Sequence, residues 1–378
     1  MKKLFILLGL VTAVATAQAK NTLPQNTDDR TVCAGIEKRV RRLIVIPDFG
    51  EYKTLKCDFH MHTVFADAQV GPIGRVREAW QDGLDVIAVS EHIAVHKSRG
   101  IKLKDYNLPI DMAVKEGKKW GLTVVPAVEI TRTKPFGHMN ALFIKDPNVF
   151  EESRYKVDEN GKLLRDKDGN RIPNPTEMLD FEKAEAQGAF MLWNHPGWPD
   201  RKCTLYPLQK QLIKQGRIHA VELFNSQEWY PKVLDWFDEY KLPMMANSDL
   251  HDTSRFIYGN GIRPMTLVFA KENTLESLRE AMFAGRMVAL FDGILAGESK
   301  YIEQLIDASL KVRVIDEKKG VLEVTNISDL EYRTLFGDHM NPVVFRPHSA
   351  IQVTVPKGTV LDFIDCYCGR NTVKKQIW

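Results

Sequence analysis

The sequence is poor in cysteine, with five in 378 residues. They are Cys33, Cys57, Cys203, Cys366 and Cys368, an odd set that leaves at least one thiol unpaired within a monomer. Cys366 and Cys368 are two residues apart, so on a strand their thiols share a face and lack the geometry to bridge. With no second Cys pair at ligand spacing, a thiolate metal site is not supported. Strong charge of either sign is also missing: 52 Lys and Arg against 49 Asp and Glu give a formal net charge of +3. That balance gives no support to a broad basic surface for nucleic acid, although it leaves room for a local basic patch. No Gly-x-Ser-x-Gly occurs, which removes the usual serine-hydrolase elbow. No Gly-rich loop follows the first predicted strand to cradle a nucleotide phosphate. After the first 14 residues there is no apolar run long enough to span a bilayer.

The N-terminus carries Lys2 and Lys3, an apolar run over 4–14, and then Ala17-Gln18-Ala19. This is the pattern of a secretory signal peptide over 1–19, which implies a periplasmic or secreted protein. Its removal takes away Lys2 and Lys3 and lowers the net charge from +3 to +1. Residues 20–53 read as a polar, then basic leader. From residue 54, short β-branched runs (55–60, 86–90, 123–129, 138–144, 189–195, 220–224, 244–249 and 265–270) alternate with amphipathic stretches such as 75–82, 178–187, 208–215, 231–240 and 275–284. Strand–helix alternation implies parallel strands with helical crossovers. Seven or eight units suggest a β/α barrel over 54–300, with an open doubly wound sheet as the alternative. Residues 157–173 read as a charged hairpin with turns at Asn160-Gly161 and Asp168-Gly169, inserted at the surface. From 301 to 378, short alternating runs separated by turn signals predict a small all-β domain.

Six of the ten His stand at predicted strand ends, most beside a carboxylate. His60-Met61-His62 ends the first strand, with Asp67 five residues on. Glu91-His92 ends the second and Glu129 the third. His138 begins the fourth, His195 ends the fifth, and Asp249-Leu250-His251 ends the seventh. Residues i and i+2 of a strand share a face, so His60 with His62, and Asp249 with His251, can converge. In a β/α barrel the strand C-termini meet at one face, which would gather all of these donors around one pocket. Burying so many ionisable groups without cations would be costly. Imidazole and carboxylate together suit Zn, Mn or Fe. His96 lies near enough in sequence to reach the pocket. His219 is expected at the opposite strand end, and His339 and His348 in structural or exposed positions. Trp193, Trp198, Phe224 and Trp229 are candidates to wall an apolar leaving-group pocket.

These residues resemble the motifs of the polymerase-and-histidinol-phosphatase (PHP) superfamily. The resemblance rests on Cys57-Asp58-Phe59-His60-Met61-His62-Thr63, Asp67, Ser90-Glu91-His92, Glu129, Gly137-His138, Asn194-His195-Pro196 and Asn247-Ser248-Asp249-Leu250-His251. It runs from about residue 55 to 295, and within the superfamily it is closest to exported bacterial phosphodiesterases with a C-terminal β extension. It implies a distorted barrel of seven β/α units holding two to three divalent metal ions. His60, His62, Glu129 and Asp249 would hold one metal. Glu129, His138 and His195 would hold a second, and Asp67, His92 and His251 a third. Glu91 departs from the family, which more often has Asp beside the ligating His, and would support the third metal only indirectly.

The expected reaction is hydrolysis of a small phosphate ester by a metal-bridging hydroxide, with a diester the favoured substrate. Arg132 is a candidate clamp for a phosphoryl oxygen, or else a salt-bridged structural residue. A phosphomonoesterase of the histidinol-phosphatase or nucleotide-phosphatase type is the alternative, and a non-catalytic metal-binding module another. An amidohydrolase would typically use a bridging Lys, where this chain has Glu129.

Overall fold

The structure, a computed structural model, describes residues 40–93, 103, 105–150, 156, 158–160, 162–170, 172, 177–199, 201–337 and 341–378. The expected signal peptide, His96, His339, Cys33 and parts of 157–173 lie outside the described residues. The chain opens with β1 (Lys53–Asp58), α1 (Pro72–Gln81), β2 (Val86–Ile93), α2 (Asn107–Trp120), β3 (Thr123–Thr131) and β4 (His138–Leu142). It continues through α3 (Glu177–Ala186), β5 (Phe190–Trp193), α4 (Pro207–Lys214), β6 (Ala220–Asn225), β7 (Glu228–Trp229), α5 (Lys232–Tyr240) and β8 (Met244–Asn247). Next come α6 (Ser254–Tyr258), β9 (Met265–Ala270), α7 (Leu275–Phe283), β10 (Met287–Phe291), β11 (Ile294–Gly297) and α8 (Ser299–Ser309).

Every residue of β2, β5, β6, β8 and β9 is buried. That is why these segments read as continuous apolar runs: strands covered on both faces have no solvent side to alternate. The helices cover them with amphipathic faces. In α5, Val233, Leu234, Trp236 and Phe237 fall on one buried stripe.

The sheet runs in the order β9-β1-β2-β3-β4-β5-β6, with β8 paired to β6. β1, β2 and β3 are parallel, as are β5, β6 and β8. Two strands break the expected pattern. β4 is antiparallel to both β3 and β5, and β9 is antiparallel to β1. The cause at β4 is the connection: residues 132–137 are too few for a helical crossover, which needs a dozen or more, so the chain turns back as a hairpin. The first and last parallel strands meet beyond their ends. Met61 bridges Leu250, His60 O accepts from Asp249 N at 2.8 Å, and Leu250 O accepts from His62 N at 3.1 Å.

The C-terminal segment also differs from expectation, because it begins in a helix: α8 extends to Ser309. β12 (Leu310–Asp316), β13 (Val321–Asn326), β14 (Tyr332–Leu335), β15 (Val343–Phe345), β16 (Ser349–Thr354), β17 (Leu361–Cys368) and β18 (Asn371–Lys375) follow. β12, β13 and β16 form a separate three-stranded sheet. β17 instead joins the large sheet, pairing in parallel with β11 through Leu295↔Cys366 and Ala296↔Tyr367. Leu361, Phe363 and Tyr332 share one core cluster with Met61, Leu267 and Phe269.

Between β4 and α3, the predicted Asp168-Gly169 turn forms, with Asp166 N donating to Asn170 O at 2.8 Å; Gly161 of the other predicted turn lies outside the described residues, beside a hydrogen bond from Asp158 N to Lys162 O at 2.9 Å. Among the described residues, Cys57, Cys366 and Cys368 are free thiols. No helix among them is long and apolar enough to cross a membrane.

Candidate metal centre

The turn that makes β4 antiparallel also completes the site. Were β4 parallel to its neighbours, His138 at its first residue would lie at the far end from Glu129 near the end of β3. The antiparallel register sets Thr131 opposite His138 and Glu129 opposite Asn140. His138 Nδ1 then donates to Glu129 Oε1 at 2.9 Å. Gly137 makes the corner with φ at +80°, a backbone that only glycine adopts readily.

All nine candidate ligands come together. His60 Nε2 lies 3.1 Å from His62 Nε2, 3.2 Å from Asp249 Oδ1 and 3.6 Å from Glu129 Oε1. His195 Nε2 lies 3.5 Å from Glu129 Oε1 and 3.9 Å from Asp249 Oδ2. Asp67 Oδ1 is 3.1 Å from His251 Nε2 and 3.4 Å from His92 Nε2. Four mutually close sets result: His60-His62-Glu129, His60-His195-Asp249, His92-Glu129-His138, and His62-Asp67-His92-His251. They overlap the three sets implied by the family resemblance. The differences are that His62 joins the Asp67 group, His92 joins Glu129 and His138, and His195 groups with His60 and Asp249 instead of with Glu129 and His138, leaving Asp249 outside the His60-His62-Glu129 set.

This donor set fits divalent cations. Asp249 Oδ1 and Asp67 Oδ1 are buried with no hydrogen-bond donor, although each faces imidazole nitrogens. Two imidazole Nε2 atoms and a carboxylate oxygen within 3.2 Å of one another (His60, His62, Asp249) have lone pairs but too few protons to share. The electrostatics agree. Burial opposes a charge on Glu129, yet His138 and His92 outweigh it and hold the carboxyl well below the usual range. Burial likewise opposes protonation of His60, but Asp249, Glu222 and Glu129 raise it to about 10. A ligating imidazole is neutral, so cations entering here would displace protons.

A second layer of residues holds the ligands in place. Glu222, fully buried on β6, was not singled out from the sequence. Its Oε1 accepts from His60 Nδ1 at 2.8 Å and Asn247 Nδ2 at 3.0 Å, and its Oε2 accepts from the His195 backbone N at 2.7 Å. Asp58 pairs with Arg263 at 2.9 Å and accepts from Ser248 N at 3.1 Å, tying the end of β1 to the loop that carries Asp249. Arg75 Nε donates to His62 O at 2.7 Å.

Two candidate residues take other roles. The guanidinium of Arg132 is buried, paired with Asp180, and donates to Ile93 O and Thr131 O at 2.8 and 2.9 Å. These contacts favour the salt-bridged structural role over the phosphoryl clamp. Glu91 accepts from the hydroxyl and backbone N of Thr63, and burial pushes its carboxyl up to about 7. It braces the loop carrying His62 and Asp67 and belongs to none of the four ligand sets. His219 stands at the opposite end of β6, against Phe190 and Phe283. His348 is exposed and pairs with Asp329.

Of the four aromatics, Trp193 and Trp198 line a cavity next to the cluster. Phe224 is buried in the core, and Trp229 packs against Phe224 and Tyr367.

Fold and donor set together place a cluster suited to divalent cations where the ends of β1, β2, β3, β5 and β8 meet in a mixed sheet. The chain is similar to a PHP-like protein of known structure. A crystal structure of a two-domain protein from Bacteroides vulgatus, described as containing a predicted PHP-like metal-dependent phosphoesterase, is 29% identical, covering 90% of this chain and 99% of that one with a TM-score of 0.77. A Bifidobacterium adolescentis protein assigned as a metal-dependent phosphoesterase (15% identity, 60% of this chain and 95% of that one, TM-score 0.40) is too distant to carry an argument. The same holds for a lesion-specific endonuclease of Pyrococcus furiosus (16% identity, 65% and 59%, TM-score 0.40). No family model and no curated protein matches the chain.

Proposed function

We propose that this chain is a metal-dependent phosphoesterase acting on phosphodiesters. The observation that carries the reading is the convergence of six imidazoles and three carboxylates, with Glu129 shared between sets. The Bacteroides vulgatus likeness supports the phosphoester class. Two or three divalent cations, of Zn, Mn or Fe type by donor chemistry, would supply a nucleophile from water at neutral pH and offset charge on the phosphoryl oxygens. His60, His62, Glu129 and Asp249 would hold one, Glu129, His138 and His195 another, and Asp67, His92 and His251 the third. The residues themselves set the geometry: Glu222 fixes the ring of His60 and the backbone of His195, and Glu91 fixes the loop bearing His62 and Asp67.

The choice of a diester follows from charge. The cavity over the cluster, about 580 Å³, is walled by ligands, Asn225, Gln227, Glu228 and Tyr230, with no Lys or Arg among its described lining residues. A monoester brings an extra negative charge that such a wall would not meet. We also assign the chain to the periplasm or the exterior, with 1–19 as a cleaved signal and 301–378 as a β-rich segment that shares the core of the catalytic portion. N-terminal sequencing of the exported protein checks the cleavage after Ala19.

The test is to reconstitute the protein with Zn or Mn and assay bis(4-nitrophenyl) phosphate beside 4-nitrophenyl phosphate. The diester is expected to turn over faster, and His60→Ala is expected to lose both metal and activity. Strong preference for the monoester would reverse the substrate assignment. Metal-loaded protein that hydrolyses neither would end the enzyme reading.

A further inference from the structure

A second chamber of about 390 Å³ adjoins the cavity over the metal ligands. The two share His138, His195 and Trp198 in their walls. Trp198 therefore stands at the partition, its ring centroid 5.3 Å from that of His138 and 5.7 Å from that of His195. It is 52% exposed, a large aromatic surface left open beside two ligating rings. The rest of the chamber pairs Trp193, Pro199 and Tyr206 with the polar Arg132, Thr133 and Asn194. Trp193 is locked in place by stacking on Trp236, with centroids 4.8 Å apart and planes within 10°. Lys134, whose Nζ donates to Pro196 O at 3.2 Å, brings a positive charge to the same lining.

We propose that this chamber is a subsite for a planar aromatic arm of the ester, an aryl or heteroaryl group stacked on Trp198. The proposal rests on the phosphodiesterase reading and gives it a substrate class. A phosphoryl group held by ligands at the junction sends one ester arm to each side of the partition. A diester has two arms and a monoester one, so two chambers match a diester. Chamber volume falls in the range of small-molecule sites, and aromatic walls reward a ring over an alkyl chain through stacking geometry as well as burial.

The test needs no turnover. Methyl phenylphosphonate and methyl methylphosphonate, monoanions like a phosphodiester, are titrated calorimetrically into the metal-reconstituted full chain, with metal content measured for each variant. The phenyl compound is expected to bind about 10-fold tighter. Trp198→Ala is expected to reduce that ratio to under about threefold, whereas Trp198→Phe, which restores a ring, should retain most of it. Equal affinities in the unaltered protein, or a ratio indifferent to Trp198→Ala at full metal content, would overturn the aromatic subsite and leave the phosphoester reading standing. Failure of metal-loaded protein to bind either phosphonate would overturn both.

Discussion

His195 and Asp249 hold left-handed backbone, with φ at +24° and +49°. For residues other than glycine such conformations cost on the order of 1–3 kcal/mol each and persist only where neighbours enforce them. Here the enforcers are visible: Glu222 accepts from the His195 N–H, and His60 O accepts from that of Asp249. Glu222 thus fixes one ligand's ring and another ligand's backbone. Glu222→Gln keeps the shape but turns one acceptor into a donor facing donors. Outer residues of this kind typically change metal affinity by about 10–100-fold when altered, and a competitive chelator titration of the variant should show a loss in that range. A change within about twofold would remove Glu222 from the site's support. The ligands themselves were legible because His-x-His and Asp-x-His repeat the two-residue period of a strand. Glu222 was not, since its only mark is one carboxylate inside the apolar run Ala220–Asn225. The role of Arg132 could not be read either, because its partner Asp180 is 48 residues away on another element.

At the scale of elements, the β3–β4 hairpin decides whether His138 belongs to the cluster. Its corner depends on Gly137. A Cβ there would meet only Trp193 Nε1, at 3.6 Å, so crowding is not the obstacle; the positive φ is. Gly137→Ala should cost about 1 kcal/mol or more, seen as a lower Tm. Strain at the corner should also shift His138, so metal stoichiometry is expected to fall by more than the stability loss alone explains. Full stoichiometry with unchanged Tm would show that the turn tolerates a side chain. The hairpin itself was open to deduction: so few residues between the runs ending at Glu129 and beginning at His138 exclude a crossover. The barrel rhythm of the neighbouring units masked that local argument. The reversal of β9 had no such signal, because α6 and its flanks are long enough for either direction.

For the molecule as a whole, the C-terminal strands are not an appendage. Pairing of β17 with β11 and the shared cluster of Leu361, Phe363, Leu267 and Phe269 make them part of one core. Truncation after Ser309 strips the cover from Leu295, Ile302 and Leu305, and should give insoluble protein or one lacking a cooperative thermal transition. Soluble, cooperatively melting, metal-binding protein from that truncation would show that the segment folds apart. The alternation of the C-terminal strands was readable, but which sheet each joins depends on pairings between residues about 70 apart, which no local pattern encodes.

The excursion between β4 and α3, with its tight turn over Asp166–Asn170, divides the site unevenly. His60, His62, Asp67, His92, Glu129 and His138 precede it; His195, Asp249 and His251 follow. A nick there would leave two fragments, each with an incomplete set of donors, and divalent ions would become the glue between them. Reassembly of such halves could then be switched on by adding metal and off by adding chelator.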